Sequence, residues 1–180
     1  RLANAGAAAV LHVYDRYDLA AVPRRYTVGA GATLDPTWTT YDGRYDLWLL
    51  GPNGFHRHYR GDLAAPPLQA EIAQDAHDPQ ALCLLLRNPG IRALHVELQP
   101  GAYAQAQPRD RVELAPGAEH RRSWNAAATG GWYDLWLVQD GARQRLAGRV
   151  ETGKASVSDP AMGGPAQLYQ SEVAEIAAPG

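Results

Sequence analysis

Tyr45-Asp46-Leu47-Trp48-Leu49 returns 88 positions on as Tyr133-Asp134-Leu135-Trp136-Leu137. Five identical residues alone would mean little, but the flanks repeat in the same order. Trp38 and Trp124 are 86 apart, as are the segments 26–31 and 112–117, while 60–62 matches 147–149 at 87 and 2–6 matches 86–90 at 84. An offset that drifts this little over some sixty residues describes two copies of one module with small loop insertions. The period is too long for a solenoid and close to the size of a small β-domain. The Pro66-Pro67 pair reads as the linker, which divides the chain into a first repeat at 1–65, a second at 66–162 and a tail at 163–180.

Within each copy nearly every segment reads as a short strand, with alternating or β-branched and aromatic residues bounded by Gly, Pro, Asn or Asp. Thirteen Pro and 18 Gly spread along 180 residues leave little room for long helices. In copy one the strands fall at 9–14, 25–28, 33–39, 45–50 and 55–60. The fourth of these is followed by Gly51-Pro52-Asn53-Gly54, a hairpin turn. Alternation places Tyr45, Leu47 and Leu49 on one face of their strand and Asp46, Trp48 and Leu50 on the other. Copy two runs 68–72, 82–87, 93–98, 111–114, 119–124, 132–138 and 143–151. Seven short antiparallel strands in about ninety residues predict a β-sandwich of immunoglobulin or fibronectin type. The fold class expected is therefore all-β, two tandem small antiparallel sandwiches. Two apolar runs of copy two, 68–72 and 82–86, have counterparts that would fall before residue 1, so copy one is expected to lack its leading strands. The segment 166–176 fits either a strand or a helix.

With 46% hydrophobic and 20% charged residues and a net charge of −2, the composition is that of a globular chain, with neither a nucleic-acid footprint nor an apolar run of membrane-spanning length. One cysteine, Cys83, excludes an internal disulfide framework and reads as a buried, inert thiol. The first residue is Arg1, which suggests a fragment of a longer protein.

The chain contains no phosphate-binding Gly loop, no Gly-x-Ser-x-Gly elbow, no His-x-x-x-His pair and no cysteine pair. His56 and His58 share a strand face at metal-binding spacing, but no third ligand can be named and a solvated strand face is the plainer reading. Asp46 and Asp134 occupy equivalent positions of the two repeats, which suits carboxylates accepting hydrogen bonds at the edge of a sandwich better than one catalytic pair. Trp38, Trp48, Trp124, Trp132 and Trp136 offer a platform for sugar or lipid, yet most lie in repeated strands, where core packing is the default. The pairs Arg24 with Arg25 and Arg121 with Arg122 are the candidates for anionic headgroups. Residues alone thus describe a tandem β-sandwich with no catalytic constellation, no cofactor and no metal. Trp38, Tyr45, Asp46, Trp48, Trp124, Tyr133, Asp134 and Trp136 form its repeat signature.

Two longer stretches carry a resemblance. Pro23-Arg24-Arg25-Tyr26-Thr27-Val28, then Tyr45-Asp46-Leu47-Trp48 and the run from Gly51 through His56, His58 and Gly61, resembles the first C-terminal repeat of bacterial phosphocholine-type phospholipases C. Gly131-Trp132-Tyr133-Asp134-Leu135, the stretch 147–153 and Ser156-Val157-Ser158-Asp159-Pro160 resemble the second, and the likeness covers residues 1–162. It implies an exported bacterial enzyme, secreted or periplasmic, that releases phosphocholine from phosphatidylcholine or sphingomyelin through an N-terminal catalytic domain. The nucleophile and metal ligands of that domain have no counterpart here. The implied role is a non-catalytic accessory region serving stability, substrate presentation or membrane contact, with the catalytic domain and a phospholipid surface as partners. The alternative is a membrane- or glycan-binding module of adhesion type.

Overall fold

Alternation in the Tyr45 stretch is realised as a strand that turns its leucines to an apolar layer and Asp46 and Trp48 to a polar one. The computed structural model describes residues 1–75, 77–78, 80–150 and 157–161. The strands, in order, are β1 (Leu2–Ala3), β2 (Ala9–Asp15), β3 (Arg24–Val28), β4 (Thr33–Leu34), β5 (Arg44–Leu50), β6 (His56–Asp62), β7 (Gln69–Gln74), β8 (Ala81–Arg87), β9 (Leu94–Pro100), β10 (Asp110–Leu114), β11 (Glu119–Asn125), β12 (Trp132–Gln139) and β13 (Ala142–Arg149). A 3-10 turn, Ala127–Thr129, lies between β11 and β12. The expected all-β architecture is present, and all pairings between strands are antiparallel. The segment 166–176, expected as a strand or a helix, lies outside the described residues.

The two repeats do not merely follow one another. Their strands merge into one eight-stranded sheet, ordered β10-β9-β12-β13-β6-β5-β2-β3, whose halves meet where β6 pairs with β13. Read from either end, the order is the same set of equivalent strands, so the seam lies on a pseudo-twofold axis, as in an isologous dimer. The register places His58 opposite Arg145, with Arg60 opposite Arg143 and His56 opposite Ala147 on either side. His58 and Arg145 are themselves equivalent at the 87-residue offset, so the axis passes between them. The linker is fastened along the same seam: Gln139 Nε2 donates to Pro66 O at 2.6 Å and Gln144 Nε2 to Leu68 O at 3.0 Å.

Over copy two a second sheet, β11-β8-β7, closes the sandwich. Leu82, Leu84 and Leu86 of β8 meet Val96, Leu98, Leu135, Leu137 and Leu146 of the large sheet. Each such side chain contributes about 1.5–3 kcal/mol relative to exposure. Every member of this buried cluster belongs to copy two. Over copy one the second layer is, among the described residues, only β1 paired with β4, Leu2 opposite Leu34 and Ala3 opposite Thr33. That explains why the strand expected over 33–39 is two residues long while its counterpart β11 runs for seven beside β8. A strand extends only as far as a neighbour offers hydrogen-bond partners.

The repeated Leu-x-Asn-x-Gly motif has a definite job. Asn88 Nδ2 donates to Arg92 O at 2.7 Å and Leu114 O at 2.9 Å while its Oδ1 accepts from Gly90 N at 2.9 Å. Asn4 makes the equivalent bonds to Ala7 O, Val28 O and Gly6 N. In the 51–54 hairpin turn Asn53 and Gly54 both take the left-handed backbone (φ 55° and 71°) that the sequence anticipates. Cys83 differs from expectation: it points away from the core, half-buried, because Leu82 and Leu84 take the inward positions.

Candidate functional site

Four residues of the repeat signature, Asp46, Trp48, Asp134 and Trp136, gather on the polar face of the large sheet, around the seam. Alternation forces this: Leu47 and Leu49 of β5 and Leu135 and Leu137 of β12 face the apolar layer, so Asp46, Trp48, Asp134 and Trp136 face the other way. Asp46 and His58 are 2% and 1% exposed, and Asp134 is 2%. His58 Nε2 lies 2.6 Å from Asp46 Oδ1, and since a carboxylate only accepts, Nε2 carries the hydrogen. Arg16 Nη1 donates to Asp46 Oδ2 at 3.4 Å and Arg60 Nε lies 3.6 Å from the same oxygen.

Copy two repeats the carboxylate with different donors. Arg145 grips Asp134 through two bonds, Nε to Oδ1 at 2.7 Å and Nη2 to Oδ2 at 2.8 Å. Position 101, equivalent to Arg16, is glycine, and the backbone N–H of Ala102 reaches Asp134 Oδ2 at 2.9 Å instead. A Cβ on Gly101 would lie 2.3 Å from that oxygen. The backbone bond survives in both copies, Arg16 N to Asp46 O at 2.9 Å and Gly101 N to Asp134 O at 2.7 Å. Each repeat therefore closes its own carboxylate with the hydrogen-bond donor that stands on the axis.

Aromatic rings fill the spaces between these ions. Trp48 and Trp136 approach the His58 ring edge-on, with centroids 6.0 and 5.5 Å away. The Arg16 guanidinium lies 4.5 Å from the Trp48 ring centre, and those of Arg143 and Arg145 lie 5.2 and 5.6 Å from Trp136. The result is a layer of cation, ring and imidazole across the seam. His56, beside it, is pushed down to about 4, first by burial and then by the neighbouring Arg145 and His58 charges. The loop after β9 closes one side: Tyr103 OH donates to Asp159 Oδ1, and burial followed by that bond raises its ionisation well above the usual phenol range.

Several expectations change accordingly. His56 and His58 are not on a solvated face, because the tryptophans and arginines cover it, and among the described residues no group of three metal-ligating side chains forms around them. Asp46 and Asp134 sit not at an edge but on β5 and β12, each third from its end of the large sheet. The tryptophans divide: Trp48 and Trp136 belong to the polar layer, Trp124 packs on the copy-two core, and Trp38 lies under Arg24, whose guanidinium is 4.3 Å from its ring centre. The arginine pairs are exposed but apart, Arg24 and Arg25 on β3 and Arg121 and Arg122 on β11, edge strands of different sheets. Sequence reading missed Arg16, Arg60 and Arg145 as partners of the carboxylates. The 87-residue match of Arg145 to His58 was the signal available.

This duplicated sheet and its repeated carboxylate layer define a class of protein. The chain matches the family described as "Bacterial phospholipase C, C-terminal domain" over residues 1–62 and again over 65–149, and it belongs to that family. It is 34% identical over 172 residues to a non-hemolytic phospholipase C of Pseudomonas aeruginosa, covering 89% of this chain and 25% of that protein. A non-hemolytic phospholipase C of Burkholderia pseudomallei is 37% identical over 167 residues, 87% of this chain and 23% of the relative. A hemolytic phospholipase C of Pseudomonas aeruginosa is 35% identical over 125 residues, 66% and 17% of the two chains. The chain thus spans about a quarter or less of the length of these relatives.

Proposed function

We propose that this chain is a non-catalytic accessory region of an exported phospholipase C, a rigid two-repeat platform beside a catalytic domain that cleaves phosphatidylcholine or sphingomyelin. The observation that carries this reading is the engagement of the acid and base candidates. Asp46 and Asp134 are buried and held by arginines, and the buried His58 is bonded to Asp46, whereas a general acid or base must reach a substrate proton. Duplication supports it too, since the same carboxylate position recurs with unlike donors, as a structural layer tolerates and one reaction centre does not.

Mixing the chain with a separately expressed catalytic region of a family member tests the accessory role. The expected result is association and a slower thermal inactivation of the catalytic region. Unchanged inactivation with no complex would remove the reading. Membrane contact is a second reading, favoured by the β2–β3 loop, where Tyr17, Leu19 and Val22 are exposed next to Arg24 and Arg25. Co-sedimentation with anionic vesicles that is lost in a Leu19→Ser, Val22→Ser chain supports it, and absence of binding refutes it.

A further inference from the structure

The apolar side of copy one is open where that of copy two is closed. A groove of about 780 Å3 runs there, floored by Leu11, Val13, Leu47 and Leu49 of the large sheet. Its floor is equivalent to the copy-two core: Leu47 and Leu49 correspond to Leu135 and Leu137, and Leu11 and Val13 to Val96 and Leu98. The copy-two residues are at most 1% exposed, whereas Leu47 and Leu11 remain only half-buried. On one side the groove is bounded by Leu2 and Ala3 of β1, and on the other by Ala70 and Ile72 of β7. Both flanks are strand edges. Among the described residues β7 pairs on one side only, with β8, and its other edge faces the gap.

We propose that this groove takes a two-stranded antiparallel hairpin, supplied by polypeptide that precedes this stretch in the longer family members. The pseudo-twofold axis dictates its place. One strand extends β1 backwards, as β8 extends beyond the residues equivalent to β1. The other is the counterpart of β7 and lies beside β7 across the axis, as β6 lies beside β13. The second layer then becomes continuous like the first. Its inward positions carry apolar side chains at every second residue, matching Leu82, Leu84 and Leu86 of β8. Edge pairing supplies the backbone bonds, and burial of the leucine floor supplies the stabilisation.

The chain's own hairpin provides the probe. A copy of residues 68–84 is placed ahead of Arg1, in the register given by the 84-residue offset, and a control carries the same addition with the leucines copied from 82 and 84 changed to serine. Binding of an anilinonaphthalene sulfonate dye reports the open groove, and thermal unfolding reports its closure. The leucine version is expected to lower dye fluorescence severalfold and raise Tm by about 5 °C or more, and the serine version to do neither. Equal behaviour of the two versions, or no dye binding by the chain as it stands, overturns the proposal. So does a dimer that persists with the leucine hairpin attached, since a second copy would then be the occupant.

Discussion

His58 and Arg145 face each other across the β6–β13 seam, on the pseudo-twofold axis, and each binds the aspartate of its own repeat. His58 holds Asp46 at 2.6 Å and Arg145 holds Asp134 at 2.7 and 2.8 Å. Histidine and arginine at one symmetric position do the same work by different means, because the remaining donors differ. Arg16 and Arg60 supplement the single bond of the imidazole, whereas the bidentate guanidinium is joined by the Ala102 N–H.

Removing one partner of the tighter pair leaves the other charge buried. Asp134→Ala takes from Arg145 its two carboxylate bonds beside Trp136 and also deprives Ala102 N of its acceptor. The expected loss of stability is about 3–5 kcal/mol, read from urea denaturation. The exposed pair Arg1–Asp35 is the internal comparison: Asp35→Ala should change stability by less than about 1 kcal/mol.

Gly101 is required by space and not by backbone angle. Its Cβ would collide with the Asp134 carboxylate, so Gly101→Ala must displace either the loop or the ion pair. A loss of about 1–3 kcal/mol is expected. In Gly101→Ala/Asp134→Ala the two losses should combine to well below their sum, which a double-mutant cycle checks.

Stability should fall in mild acid through His56. Its folded value is near 4 and its ordinary value is 6.5, so between these limits the unfolded chain binds a proton that the folded chain does not. The contribution is intact above about pH 6.5 and is lost as pH falls toward 4, by at most about 3 kcal/mol. In His56→Gln the pH dependence across that window should be flatter than in the parent chain, as measured by denaturation midpoints at pH 4.5, 5.5 and 7.

The strands and their faces were legible because periodicity two is a local signal: the Tyr45 stretch and its copy state which side chains face the leucine layer. The Asn-Gly turn at 53–54 was legible for the same reason. What could not be read was the pairing of β6 with β13. Whether two repeats stand apart or share a sheet depends on which edges are free, and edge pairing leaves no mark in either strand's own pattern. The environment of Asp46 was hidden as a consequence. A solvated face and a face covered by Trp48, Trp136 and Arg16 have the same alternation, and only the seam brings the second tryptophan over the histidine.

Release of phosphocholine from phosphatidylcholine vesicles by the isolated chain, measured beside its Asp46→Asn and His58→Gln variants, tests the central claim most directly. The account predicts no release above the vesicle blank from any of the three, because the carboxylates and the imidazole are engaged inside the sheet. Release by the parent chain that either substitution abolishes would contradict it and make the seam a reaction centre.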